Sequence, residues 1–191
     1  MPSLRLARSG PAVLLAVILA GLAACSNPVS GLIGNIAEGT SAGLGTTPGR
    51  PADYTGYLEN RTGHDVILKS ARLLPLKGFR APRLIHEAVY SGRTVATSAF
   101  DWPPKGLRLS LKRFAGYRIR PGRRIMILYS VVAHRLGVYA DAGLKVTVLV
   151  NGSQGVVDVI SFAGTCVIRS LNHDCPDSFY RRVQDAPSPD T

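Results

Sequence analysis

Residues 144–151 read Leu-Lys-Val-Thr-Val-Leu-Val-Asn, and their pattern decides the fold. Leu144, Val146, Val148 and Val150 alternate with Lys145, Thr147, Leu149 and Asn151. A period of two sends one set of side chains to each face of a strand, whereas a helix would scatter the same valines around its circumference. Branching at Cβ also suits a pleated surface better than a helix.

The same period recurs on either side. Tyr117 and Ile119 alternate with Arg118 and Arg120, and Leu107, Leu109 and Leu111 alternate with Arg108, Ser110 and Lys112. Residues 124–134, RIMILYSVVAH, are apolar at nearly every place, as a central strand covered on both faces should be. Tyr54–Glu59, Val66–Leu74, Leu84–Tyr90 and Gly155–Phe162 are further strand candidates. Turn chemistry separates the runs at Asn60-Arg61-Thr62-Gly63, Pro103-Pro104-Lys105-Gly106, Arg120-Pro121-Gly122 and Asn151-Gly152-Ser153. About seven strands at short spacing, with no long amphipathic helix, predict an all-β protein. The expected architecture is an antiparallel β-sandwich, immunoglobulin-like or cupredoxin-like, over residues 53–180.

Composition agrees with one folded domain plus extensions. The 191 residues are 46% hydrophobic and 18% charged, which argues against wholesale disorder. Three cysteines are too few for a disulfide-scaffolded mini-protein.

The first 24 residues read as a leader. Arg5 and Arg8 precede Pro11–Ala24, PAVLLAVILAGLAA, a 14-residue block without charge. That is short of the roughly 20 residues a permanent bilayer span needs and fits a signal-peptide apolar region, rather than a buried helix of a cytosolic domain. Leu22-Ala23-Ala24-Cys25 resembles the lipobox of bacterial lipoproteins. The resemblance implies diacylglyceryl modification of the Cys25 thiol, cleavage before Cys25, and acylation of the new amine. Two or three chains anchor stably, because each buried CH2 contributes about 0.8 kcal/mol and one chain alone is marginal. An ordinary secretory leader ending by chance at a cysteine is the plainer alternative. Ser26 stands where some Gram-negative families place an inner-membrane retention Asp, so the expected location is the cell membrane or the outer membrane, with the domain on the exported side.

Residues 25–52 then read as the lipidated cysteine and a Gly/Pro-rich tether; a chain of about 27 residues has a flexible reach of about 29 Å. A short membrane-lying helix at Leu32–Glu38 is the competing reading. At the other end, residues 181–191 read as a frayed tail. The chain further resembles small actinobacterial envelope lipoproteins with β-sandwich domains. That likeness rests on Gly56-Tyr57-Leu58-Glu59-Asn60, Asp65-Val66, Arg120-Pro121-Gly122 and Gly137-Val138-Tyr139. It implies no binding residues.

With Cys25 lipidated, Cys166 and Cys175 remain as an even pair in an exported domain, and a disulfide is the expectation. A metal site from Cys166, His173 and Cys175 has an unusual spacing and no evident fourth ligand. Blue copper needs two His, one Cys and usually Met; Met126 lies in an apolar strand, and His64, His86 and His134 are isolated. Nucleophilic catalysis finds no Gly-x-Ser-x-Gly, since Gly152-Ser153-Gln154-Gly155 has the wrong spacing. Asp101, Asp158 and Glu87 are single carboxylates without an evident partner, and no phosphate loop or dinucleotide fingerprint occurs. No cofactor, no metal and no catalytic residue are therefore expected.

Charge is the remaining signal. Between Arg61 and Arg124 there are 15 Lys plus Arg against three acids, Asp65, Glu87 and Asp101, so the formal +11 of the chain lies wholly in that stretch. Arg108, Lys112, Arg118, Arg120, Arg123 and Arg124 form an expected outward-facing basic face. Its partner would be anionic lipid, a phosphate-bearing wall polymer or an acidic envelope protein; the export signal argues against nucleic acid. The plain alternative is a solvated strand face. The expected role is a membrane-anchored, non-catalytic binding or assembly module, with an accessory envelope enzyme or metallochaperone as its rival.

Overall fold

The computed structural model describes residues 29–35, 42–90, 102–104, 110–170 and 175–185. Among the described residues ten strands form two five-stranded sheets. They are β1 (Leu32–Asn35), β2 (Ala42–Thr46), β3 (Ala52–Asn60), β4 (Val66–Pro75), β5 (Arg83–Tyr90), β6 (Leu111–Arg113), β7 (Arg118–Ile119), β8 (Arg124–Val132), β9 (Gly137–Val150) and β10 (Ser153–Val167). One sheet has the order β1-β3-β8-β5-β6 and the other β2-β10-β9-β4-β7. Setting aside the short strands β2, β6 and β7, these orders are the A-B-E-D and G-F-C sheets of an immunoglobulin-type sandwich. The expected β-sandwich is therefore present, and of the two expected types it has the immunoglobulin strand order.

The alternation in 144–150 is realised as read. Leu144, Val146, Val148 and Val150 are buried, and they meet Val66, Leu68, Ile125, Ile127 and Tyr129 in one core between the sheets. A bulge between Leu68 and Ser70 keeps Ala71 and Leu73 on the core side after the pairing slips. Strand β8 is buried along eight of its nine residues, since its outer side chains are covered as well as its inner ones.

Three boundaries need correction. Residues 25–52 are not a plain tether, because β1 pairs with β3 and β2 pairs with β10. Two of the glycines that suggested flexibility there, Gly34 and Gly45, are close-packing positions. A Cβ on Gly34 would sit 1.9 Å from the Asp158 carbonyl oxygen, and one on Gly45 would meet the Cys175 sulfur at 3.3 Å. The Leu32–Glu38 helix reading likewise gives way to a strand over Leu32–Asn35. Second, β2 runs parallel to β10, so the sandwich is not wholly antiparallel. Third, α1 (Asp177–Gln184) crosses the expected domain end at residue 180. Phe179 and Val183, one turn apart, are buried over Gly164, where a Cβ would lie 2.8 Å from the Phe179 ring.

The two ends of the sandwich differ in their connections. At one end lie the start of β1, the β3–β4 and β7–β8 turns and the β9–β10 hairpin. At the other lie the β4–β5 and β8–β9 connections, the start of β3 and helix α1.

Candidate anion-binding surfaces

The first end is organised by Asn60, which is fully buried. Its side-chain amide nitrogen donates to the His64 and Ile119 carbonyls, each at 2.9 Å. Its side-chain oxygen accepts from the Thr62 N–H at 2.9 Å and the Thr62 hydroxyl at 2.7 Å. Its backbone N–H donates to the Arg123 carbonyl, and its carbonyl accepts from Gly122 N–H. One side chain thus holds the Asn60–His64 turn against β7, and the backbone N–H and C=O of the same residue hold the Pro121-Gly122 turn. The Asn-Arg-Thr-Gly signal marks the turn; that the same Asn clamps a second turn 60 residues away is not written in local sequence.

The expected basic residues do not form one face. Lys112 is on β6, the edge of one sheet, and Arg118 is on β7, the edge of the other. Arg120 and Arg123 flank the intervening turn, and Arg124 opens β8. Arg108 lies outside the described residues. All five placed side chains are exposed, but two are engaged. Arg118 Nη1 is 3.3 Å from Asp65 Oδ2. Arg124 stacks its guanidinium 4.4 Å from the Tyr57 ring centroid and faces Glu59 across the strand pair. Glu59 also accepts from Arg61 Nε at 2.7 Å, and that hydrogen bond first, with the nearby Arg61 and Arg124 charges, holds its carboxyl below the usual carboxylate range. A shallow open groove of about 470 Å³ at this end is lined by His64, Asp65, Arg118, Pro121, Asn151 and Gly152, among others.

A second group of cations was not singled out in sequence. Lys69, Arg72, Lys77, Arg80 and Arg83 run along β4 and into β5. All are exposed, and none has an ion pair among the described residues. The one carboxylate near Arg72 in its cross-strand row, Asp158, is taken by Lys145 at 3.0 Å. The signal available was the lack of any Asp or Glu from Val66 to His86. On this flank β4 pairs with β7 only at Val66 and Ile67, so its outer edge from Lys69 onward has no pairing among the described residues.

Inside the other end lies a buried polar cluster. Tyr54 donates its hydroxyl to the Gly164 carbonyl and lies within hydrogen-bond distance of the Thr165 hydroxyl, both at 2.7 Å. The Tyr129 hydroxyl and Gly143 N–H each donate to Asp141 Oδ1 at 3.0 Å. Burial pushes the Asp141 carboxyl up to about 8, against the lowering effect of those two donors. Burial likewise raises both tyrosines. These groups join the sheets across the core; they offer no exposed reactive atom.

Cys166 and Cys175 are side by side and buried beneath α1, but they stand as thiols and not as the expected disulfide. The Cys175 thiol is directed at the Cys166 carbonyl oxygen, 4.0 Å away. Burial first, then the neighbouring thiol, pushes Cys166 up to about 12, which disfavours its thiolate. His173 of the metal alternative lies outside the described residues, among which no three His, Cys, Asp or Glu gather as a metal site.

The β3-β8-β5 register sets Asp53, Ser130 and His86 in one cross-strand row on the outer face. The order does not suit a nucleophile–base–carboxylate relay, because Ser130 sits between the other two. With strands about 4.8 Å apart, the outer pair is about 10 Å apart. Ser130 and Asp53 are fully buried, and His86 stacks on Trp102 with ring centroids 5.1 Å apart.

No protein-family model matches the chain, and no curated protein matches it. Several solved structures resemble it distantly. The PapD-like domain 7 of human CEP192 is 11% identical with a TM-score of 0.42, covering 88% of this chain and 99% of that domain. The Vibrio cholerae VesB protease is 11% identical with a TM-score of 0.37, and the chain spans only 33% of it, over 74% of its own length. The secreted serine protease VesC of Vibrio cholerae is 8% identical with a TM-score of 0.28, over 65% of this chain and 21% of the protease.

Proposed function

We propose that the protein is a lipid-anchored envelope module that binds an anionic partner without chemistry of its own. Anchoring is read from Leu22-Ala23-Ala24-Cys25. The observation that supports binding is the flank of Lys69, Arg72, Lys77, Arg80 and Arg83, exposed and without carboxylate partners among the described residues. Guanidinium groups without local counter-charges present forked donors to phosphate or carboxylate. Isolated surface cations usually hold a nearby acid; five in succession without one create a field that attracts anions and weakens with salt.

In an oxidising compartment, the adjacent Cys166 and Cys175 thiols close a disulfide that braces α1 against β10. A thiol titration of the exported chain should then find neither group free.

Polyglutamate and a phosphate-bearing wall polymer are suitable probes of the flank. Binding to the full lipidated chain should fall as salt rises and should be lost in a variant carrying Lys69→Glu, Arg72→Glu and Arg80→Glu. Equal binding by parent and variant would reduce the flank to a solvated surface. Turnover of an ester or peptide substrate that is abolished by Ser130→Ala, or stoichiometric copper or zinc in the purified chain, would favour the enzyme or metallochaperone reading instead.

A further inference from the structure

We infer that the end of the sandwich carrying the Asn60–His64 and Pro121-Gly122 turns sits on the anionic headgroups of the membrane that anchors the chain. The inference deepens the anchored-module reading and rests on lipidation at Cys25.

Two observations meet at this end. The first is the length of the connection. A tether extending to residue 52 would lift the domain clear of the bilayer. Because β1 begins at Leu32, only the six residues Ser26–Gly31 separate it from Cys25. Six residues span at most about 21 Å, and Val29–Gly31 already form a turn, with Leu32 N–H donating to the Val29 carbonyl at 2.9 Å and Val29 packed on the core. The connection ends at the turn itself: Arg61 N–H donates to the Gly31 carbonyl at 2.8 Å, and a Cβ on Gly31 would lie 3.3 Å from the Arg61 carbonyl carbon.

The second observation is charge. Arg61, Arg118, Arg120, Arg123 and Arg124 are exposed at this end, against Glu59 and Asp65. Both carboxylates are already ion-paired, with Arg61 and Arg118 respectively. Arg120 and Arg123 carry no ion pair among the described residues, and Asn60 fixes their turn beside the Gly31 exit. An anionic surface potential falls off within a Debye length, about 8 Å at physiological salt, so cations act on it only when held close. Here the short connection exits at the turn itself, so this end, and not the far one, is the end kept next to the surface. Acyl chains and a basic patch together are the two signals that make a peripheral anchor both stable and oriented. The far end and the β4–β5 flank, with Lys77, Arg80 and Arg83, then face away from the bilayer and stay open to a partner.

Hydrogen exchange on the full lipidated chain in vesicles tests this. Phosphatidylglycerol-containing vesicles should slow exchange at residues 61–64 and 120–124 relative to pure phosphatidylcholine, by about fivefold for each arginine engaged. Residues 77–80 and 134–136 should be unchanged. The double variant Arg120→Ser, Arg123→Ser and high salt should each restore the faster exchange, while the chain stays bound through its lipid. Equal exchange at 61–64 and 120–124 in both vesicle types, with the chain still bound, would overturn the docking and leave the anchored module standing. Slowing confined to 77–83 would overturn it in favour of the flank as the membrane face. A chain lacking acyl mass at Cys25 would remove the anchored reading and this inference together.

Discussion

The two ends of the sandwich are built on opposite plans. Toward the end that we propose to be anchored the interior is dry: Val66, Leu68, Ile125, Val148 and Val150 fill it, and the polar work is done at the rim by Asn60 and exposed arginines. Toward the far end polar groups enter the interior, where Tyr54, Tyr129, Thr165 and Asp141 meet, and an outer layer of helix covers Cys166 and Cys175. The dry half follows from strict alternation. The wet half needs specific glycines and long-range hydrogen bonds, and it holds the buried Asp141 carboxyl, so its stability should fall as pH rises through neutrality.

The largest effect should come from the core where the two halves meet. Leu144→Ala removes a fully buried side chain between the sheets and should cost about 3 to 4 kcal/mol, read as a lowered denaturation midpoint. A cost under about 1 kcal/mol would mean that the two halves do not share one close-packed core. Next, Asn60→Ala removes four side-chain hydrogen bonds, the one to the Ile119 carbonyl fully buried, and should cost about 2 kcal/mol. Its hydrogen-exchange signature should be confined to the turns of the anchored end; faster exchange at residues 138–141 as well would show that the ends are not independent.

Asp141 tests the wet half. Its folded carboxyl, pushed up to about 8 from a usual value near 3.8, binds a proton that the unfolded chain releases at much lower pH. The folded state therefore holds more protons between those values, and stability should fall as pH rises through that window, by up to about 1.4 kcal/mol per pH unit. Above pH 8 the decline should level off. Asp141→Asn should flatten the profile, and a slope unchanged by that substitution would assign the pH dependence elsewhere. The smallest effect is at the rim, where Arg124→Ala loses the contact with the Tyr57 ring and the Glu59 charge. It should cost about 0.5 kcal/mol, measurably less at high salt.

The same contrast explains what could be read from sequence. Leu144–Val150, Val66–Leu74 and 124–132 announced themselves through period and apolar content, and the β-sandwich followed. Residues 25–52 misled because glycine is ambiguous: it marks a flexible linker and also a strand pressed against another backbone, as Gly34 is against Asp158. Nothing local separates the two. Helix α1 is eight residues long, its buried face marked only by Phe179 and Val183, and its fit depends on Gly164 in another element. The basic residues were visible as a count, but their grouping depends on which strands become neighbours. Lys112 and Arg118, six apart in sequence, end in different sheets, whereas Arg61 and Arg123 meet at the same end through Asn60. The Cys166–Cys175 proximity was legible from spacing, and their burial under α1 was not.

The account depends most on Cys25, because the anchored end has meaning only if the chain is held there. Intact mass spectrometry of the protein recovered from its native envelope is the direct measurement. The predicted result is a chain beginning at Cys25 that carries diacylglyceryl mass, with Cys25→Ser lost from the membrane fraction. A chain starting elsewhere with an unmodified cysteine, or a Cys25→Ser variant retained in the membrane, would contradict it.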